Sequence, residues 1–319
     1  EKVENALSAL NGDGQLIVIS DGSDDGTNEL LESIRDDRLM VLTNDQRMGK
    51  AFSLGRAMPL VRGDVSVFTD ANVFFKRGAV ERLVDTFSET TCGAVCGKVD
   101  LVALDDGEPL GEGLYMRYER FIQRAESRLG TMVGAEGGML AVRTALVPEI
   151  PSGLILDDLY IALNVIAAGY AIRYQPTAEA VEPVPARVAQ EFRRKVRIAA
   201  GGFQLLPHVR LLRRPWLSWK AAWMFFSHKI LRWISGVFVA SALASNLVLA
   251  GASNAYATLL GIQALLWAMA LLAWFAVPLR SHRLFYPVYY FAALNMASLV
   301  GLGQFLLGRH SGIWQRVDR

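Results

Sequence analysis

The sequence predicts an α/β domain with a mostly parallel sheet, followed by basic interfacial helices and a membrane-spanning region. Three observations predict this architecture. Short apolar runs rich in β-branched residues alternate with helix-like segments through residues 1–186, the pattern of βαβ units. Charge is split along the chain: up to Glu191 there are 30 acidic residues against 18 Lys and Arg, and after it 15 Lys and Arg against one acid, Asp318. The net formal charge of +2 therefore hides a front part near −12 and a back part near +14. Finally, no residue from Trp233 to Leu279 is charged, a run of 47, and none of the 25 from Leu284 to Gly308. An acidic front part argues against nucleic acid as a partner. A basic part that is also apolar points to a lipid bilayer.

The elements follow in order. Residues 2–10 read as a helix broken by Asn11-Gly-Asp-Gly14, and Gln15 to Ile19 as a buried strand. A chain that enters such a sheet through a helix lacks its opening strand, so the sequence predicts N-terminal truncation. Ser20 to Thr27 is a turn and Asn28 to Ile34 a helix. Leu39 to Leu42 is the next strand, Gly49 to Met58 a helix, and Val65 to Phe68 a strand. A helix over 78–88, a strand over 93–99 and a polar loop come next. Cys92 and Cys96 share a strand face at a separation of about 13 Å, too far for a disulfide. Two thiols are too few for zinc, so both read as small buried residues in a reducing compartment.

Val65-Ser-Val-Phe-Thr-Asp-Ala-Asn72 delivers two oxygen-bearing side chains at a strand's carboxyl end, where open α/β sheets bind ligands. If the chain stays extended, Asp70 and Asn72 point the same way. They can then serve one hard cation or one sugar-phosphate, or simply form an Asx turn. Asp21 to Glu32 has the spacing of a calcium loop, but a strand rather than a helix precedes it. The better reading is a strand-to-helix turn. Ser23 or Asp25 caps the helix, and Asp21 is left free to accept hydrogen bonds from a nucleotide. Asn44 to Ala51 fails as a P-loop, lacking its first Gly and its final Ser or Thr. What remains is Lys50 at a helix N-terminus, a place that suits a cation only when an anion joins it. Gly137-Gly138 precedes a strand, either as a tight turn or as backbone that admits a flat ligand. Asp157 and Asp158 open an apolar helix, as caps or with one as a general base.

Arg187 to Leu206 reads as an amphipathic helix containing Arg193-Arg-Lys-Val-Arg197. Arg210, Arg213, Arg214, Lys220, Lys229 and Arg232 continue the basic run, with Trp216, Trp219, Trp223 and Trp233 between them. Basic residues and tryptophans ahead of long apolar runs describe helices on the cytoplasmic side of a membrane interface. The predicted organisation is thus an α/β domain over 1–186, interfacial helices over 187–232, and spans at about 233–251, 256–278 and 284–307 in the 233–319 region. Arg280 and Arg283 fit the cytoplasmic side, whereas parity puts the tail, with Arg309, Arg316 and Arg319, outside.

The ordered set Asp21-Gly-Ser, Gly49-Lys50, Asp70-Ala-Asn72, Gly137-Gly138 and Asp157-Asp158, followed by the Arg-rich helix and spans, resembles a membrane-bound, inverting family 2 glycosyltransferase of GT-A fold. This is the group of the cellulose, hyaluronan and poly-N-acetylglucosamine synthases. The resemblance implies a nucleotide-sugar donor, a UDP-hexose or UDP-N-acetylhexosamine, and a glycan or lipid-linked acceptor. It implies that Asp21 holds the uridine and Lys50 lies near the diphosphate. Asp70, with Asn72 in place of the usual second Asp, would bind Mg²⁺ or Mn²⁺. It makes Asp158 the general base. Gly137, Gly138, Asp157, Arg194 and Arg197 fall at the acceptor end. Arg194 and Arg197 stand at the Gln and Arg of a Gln-x-x-Arg-Trp motif, and Ile198 stands at its Trp. The family's opening strand is absent. The implied protein is a multi-pass enzyme of the plasma (inner) membrane with a cytoplasmic catalytic domain and export or accessory subunits as partners. Single-sugar transfer to a lipid carrier and a non-catalytic nucleotide-binding subunit are the alternatives.

Overall fold

The computed structural model describes residues 1–12, 14–103, 114–134, 137–184, 188–213, 218–309 and 312. Arg187, Arg214, Trp216, Arg316 and Arg319 of the predicted basic stretches lie outside them. The chain divides into two compact units. Glu1–Ala186 with Leu205–Phe225 belongs to the first, and Arg187–Gln204 with Phe226–His310 to the second.

In the first unit the order is α1 (Lys2–Ser8), β1 (Leu16–Asp21), α2 (Thr27–Ser33), β2 (Leu39–Asn44), α3 (Lys50–Ala57), β3 (Val65–Phe68), β4 (Phe74–Phe75), α4 (Ala79–Asp85), β5 (Cys92–Ala103), α5 (Leu114–Arg128), β6 (Leu140–Arg143), α6 (Asp157–Ala167) and β7 (Ala171–Val184). Among the described residues β1 and β2 form a parallel pair, and five strands form a second sheet in the order β3-β6-β5-β7-β4. The expectation of a mostly parallel sheet is corrected here. β6 runs antiparallel to both β3 and β5, β4 runs antiparallel to β7, and only β5 and β7 are parallel in this sheet. An apolar run carries no sign of its direction. The long connection through α5 lets β6 return between β3 and β5 in the reverse sense, where Leu140, Ala141 and Val142 are fully buried.

β5 runs beyond the strand predicted over 93–99 and lies along β7. Their register breaks between Cys96 and Lys98, where Tyr174 and Glu179 are the successive partners. Pro176 falls within that irregularity, a place where a strand tolerates it. Cys92 and Cys96 are buried thiols and form no disulfide. Cys92 joins Val73, Leu83, Val95, Met139 and Ala180 in the core under α4, as expected of a small apolar side chain.

The second unit holds α7 (Val188–Leu205), and the short α8 (Arg210–Arg213) and α9 (Trp219–Phe225) belong to the first unit. Beyond them come α10 (Leu231–Trp233), α11 (Ser235–Leu249), α12 (Asn254–Phe275) and α13 (Phe285–Leu306). α12 and α13 have 22 residues each, about 33 Å of helix, enough to cross a hydrocarbon layer. The first predicted span is shorter than expected. α11 has 15 residues and reaches spanning length only if Trp219–Trp233 and Ser235–Leu249, bent by 56°, count as one span. The break at Ile234 precedes Ser235-Gly236, and Gly236 packs so tightly on Asn295 that a Cβ would lie 2.4 Å from its carbonyl oxygen.

Candidate active site

The carboxyl ends of β1 and β2 sit side by side, with Asp21 and Asn44 as register partners. The Asp21 carboxylate accepts from Asn44 Nδ2 at 2.7 Å, from the Met48 N–H at 2.8 Å and from the Gly49 N–H at 2.8 Å. Gly22, at φ +65°, lies so close to the 46–47 backbone that a Cβ would be 2.5 Å from Arg47 N. Burial pushes the Asp21 carboxyl up, but the hydrogen bonds from Asn44, Met48 and Gly49 outweigh it and hold the group below the usual carboxylate range. Asp21, expected from the sequence to be open to a nucleotide, accepts here from three donors of the protein. Three of a carboxylate's roughly four acceptor positions are spent on the protein itself. Asp21 fixes the loop that launches α3 and so positions Lys50.

Lys50 Nζ lies 2.7 Å from Asp70 Oδ1 and 3.5 Å from Asp157 Oδ2. Burial pulls this ammonium down. Asp157, Asp70 and Asp158 together outweigh burial, so Lys50 is held above its ordinary value and stays charged. Lys50 thus gathers carboxylates from the β3 end and from α6 around a single cation.

Asp70 and Asn72 are not in extended chain. The Val73 N–H donates to the Asp70 carbonyl at 3.1 Å, closing a β-turn over 70–73. The alternation argument fails here because β3 ends at Phe68. The two side chains go to different partners: Asp70 to Lys50, and Asn72 through Nδ2 to Glu182 Oε1 at 3.0 Å. Asp70 Oδ2 and Asn72 Oδ1 accept no hydrogen bond among the described residues. The side chain of Asp70 is 42% exposed.

α1 clamps this turn, a role no sequence signal suggested. Lys2 Nζ donates to Thr69 Oγ1 at 3.1 Å and to the Val73 carbonyl, and lies 4.3 Å over the Phe75 ring. Burial brings Lys2 down to about 8, opposed by Asp70. Asn5 pairs with both the N–H and the carbonyl of Phe75, at 2.8 and 2.9 Å. These contacts join residues about 70 apart in sequence, beyond the reach of a local pattern.

α6 starts at Asp157, and its adjacent acids differ. Asp157 is buried and faces Lys50. Asp158 is only partly buried; its Oδ2 accepts the Gly137 N–H at 3.0 Å and its Oδ1 the Leu159 N–H at 2.7 Å. Burial pushes both carboxyls up, Asp157 to about 6, against the pull of Lys50. The glycine pair is explained by its neighbours. A Cβ on Gly137 would lie 3.0 Å from Asp158 Oδ2, and one on Gly138 2.9 Å from Val73 Cγ2. The groups that approach this backbone here are the Asp158 and Val73 side chains.

Lys50, Asp70, Asp157, Asp158 and Gly137 thus converge in the first unit, with Asp21 and Gly138 supporting them. Arg194 and Arg197 lie on α7 in the second unit. Such a cluster can do three things: hold an anion beside Lys50, offer hard oxygens at the 70–73 turn, and accept a proton at Asp158. Among the described residues no three His, Cys, Asp or Glu side chains stand close enough to hold a metal by themselves. Any cation here would take protein oxygens from the turn and complete its shell from a ligand's phosphates and water, the usual manner of Mg²⁺.

Residues 2–147 match the family described as Glycosyl transferase family 2. The chain is 23% identical over 214 residues to a poly-β-1,6-N-acetyl-D-glucosamine synthase of Staphylococcus aureus, covering 65% of this chain and 52% of that protein. It is 26% identical over 167 residues to an uncharacterised glycosyltransferase of Bacillus subtilis, covering 50% of this chain and 40% of that one. The chain thus spans about half the length of the curated relatives it matches. Its fold is similar to that of a mannosyltransferase from Pyrobaculum calidifontis solved with GDP-Man and Mn²⁺, with a TM-score of 0.65 at 20% identity over 97% of this chain and 83% of that one.

Proposed function

We propose that this chain, a glycosyltransferase whose residues 2–147 form a family 2 domain, moves a sugar from a nucleotide-diphosphate donor to a growing polysaccharide or glycan at the membrane, with inversion. The observation that carries this reading is the convergence of a partly open carboxylate, Asp158, with the Lys50–Asp70 pair at one point in the fold. Asp158 is the general base. The Gly137 N–H aims its Oδ2, and burial raises its affinity for the acceptor's hydroxyl proton. Lys50 faces the donor diphosphate and Asp157 holds Lys50 in place. Asp70 and Asn72 offer their unpartnered oxygens to Mg²⁺ or Mn²⁺. The donor set fits, being hard oxygens within one turn. The cation supplies charge neutralisation for the leaving diphosphate. Asp21 acts on the donor through the Met48–Lys50 loop. Arg194 and Arg197 serve the acceptor.

The donor is a UDP-hexose or UDP-N-acetylhexosamine by resemblance to the synthases; the fold neighbour's GDP-Man makes GDP-mannose the control. The apolar α12 and α13 and the basic residues ahead of them support a multi-pass protein of the plasma membrane with the sugar chemistry on the cytoplasmic side. Export or accessory subunits would take up the product. The departures at Arg194 and Ile198 favour a second reading, single-sugar transfer to a lipid carrier. The test is turnover of the purified chain in lipid with Mn²⁺ and a panel of UDP-glucose, UDP-N-acetylglucosamine and GDP-mannose. One UDP-sugar is expected to release its nucleotide at least about tenfold faster than the others, a preference worth about 1.4 kcal/mol. Labelled product length then separates polymer from single addition. No turnover with any donor overturns the enzymatic reading.

The buried acids set a pH dependence. A base works only when ionised, so raising its proton affinity moves the acid limb of the rate profile upward. Asp157 and Asp158 are adjacent and titrate as a pair, with Asp157 at about 6. Activity is therefore expected to begin falling at a pH above the ordinary carboxylate range near about 4, because burial holds the Asp158 carboxyl up. An acid limb at or below pH 4.5 in a kcat/KM profile would remove Asp158 from the role.

A further inference from the structure

We propose that Glu182, on β7, is a positioning residue for the cation site, acting through Asn72; this rests on the reading of Asp70 and Asn72 as cation ligands. An asparagine amide has two faces, an oxygen that accepts and a nitrogen that only donates. Which one faces a cation decides whether the residue is a ligand at all. Here the partner settles it. Asn72 Nδ2 lies 3.0 Å from Glu182 Oε1, and an ionised carboxylate can only accept. The amide nitrogen must therefore turn toward Glu182, which leaves Oδ1 as the group Asn72 presents elsewhere.

The same contact restores the charge that the Asp-Ala-Asn sequence lacks. A carboxylate at position 72 would place its charge directly on the cation. Asn72 places none, but Glu182 sets one on the far side of its amide, polarising Oδ1 through the hydrogen bond. The two residues are held in reach by the fold. β4 pairs antiparallel with β7, Phe74 opposite Val181; continued by one pair, that register sets Glu182 opposite Val73, the chain neighbour of Asn72. β7 in turn is pinned along β5, with Glu182 opposite Leu101. The contact spans 110 residues of sequence and has no local signature.

The test measures Mn²⁺ binding to the full chain by the loss of free-ion electron paramagnetic resonance signal, with UDP and, separately, GDP present. Glu182→Gln keeps the shape, removes the charge, and lets the amide of Asn72 turn over. It is expected to weaken Mn²⁺ about tenfold, the usual cost of losing an outer-shell partner. Glu182→Asp keeps the charge but withdraws it by a methylene, with an expected loss of about threefold on the same grounds. Adding Asn72→Asp to Glu182→Gln puts a carboxylate oxygen on the cation directly and is expected to restore native affinity, a rescue that a merely structural role for Glu182 does not produce. Native affinity in both single variants, or a folded double variant without rescue, overturns the proposal. Asp70→Ala is the control. If it leaves Mn²⁺ binding unchanged, the cation reading of the turn fails and the role of Glu182 fails with it. If it abolishes binding while the Glu182 variants do nothing, only the role of Glu182 fails.

Discussion

Asp158→Asn is expected to lower sugar transfer by about a thousandfold, within the range that a positioned general base supplies, while Mn²⁺-dependent UDP binding persists. The substitution is nearly isosteric but its amide cannot take up the acceptor's proton. It also cannot accept from both the Gly137 and Leu159 N–H groups, because one of its two ends is now a donor. One hydrogen bond is lost, at about 1 kcal/mol. Against that, a carboxylate crowded by Asp157 and Asp70 and pushed up by burial no longer has to be ionised, so the fold is retained. Asp157→Asn serves as the comparison. Asp157 is buried and holds Lys50 at 3.5 Å, so its loss should weaken donor binding more than the chemical step. Product formation under saturating donor, alongside calorimetric titration of UDP with Mn²⁺, separates the two. Turnover of Asp158→Asn within tenfold of native would exclude Asp158 as the base.

The parts of this site that were legible in the sequence share one property: each is a residue type whose placement at an element boundary is itself unusual. Lys50 at a helix N-terminus, two acids opening an apolar helix, and a glycine pair before a strand all depart from what local structure needs. All of them meet at one point in the fold. What the sequence did not convey is direction and partnership. Asp21 looked available because strand-end acids face outward, yet the returning 44–49 segment meets it with three donors. Asp70 and Asn72 were aligned by strand alternation, but a β-turn and two different partners set their directions. The antiparallel course of β6 was hidden for the same reason, since periodicity reports which face is buried and not which way the chain runs. Lys2, Asn5 and Glu182 each act through contacts with residues about 70 or more positions away.

Asp70→Ala is expected to abolish the Mn²⁺ dependence of UDP binding while leaving the metal-independent affinity near its native value. Two cations compete for this carboxylate. Lys50 holds Oδ1 at 2.7 Å, and Oδ2 accepts nothing among the described residues, so a divalent ion can share the group without displacing the lysine. Removing the carboxylate strips the turn of its only charged oxygen, and the amide of Asn72 cannot hold a doubly charged ion alone. Lys50 is not stranded by the change. Asp157 remains at 3.5 Å, and Asp158 also favours its charged form, so its ammonium stays available to a phosphate. The fold should also tolerate the change, since the 70–73 turn is closed by backbone and clamped by Lys2 at Thr69 and Val73. Calorimetric titration of UDP with and without Mn²⁺ reads the effect directly. The native chain should bind at least about tenfold more tightly with Mn²⁺, worth about 1.4 kcal/mol, and the variant equally with and without it. A variant that keeps the Mn²⁺ enhancement would move the cation away from the turn. Lys50 would then be the residue that holds Asp70, and the acid at the end of β3 a partner of the lysine rather than of the donor.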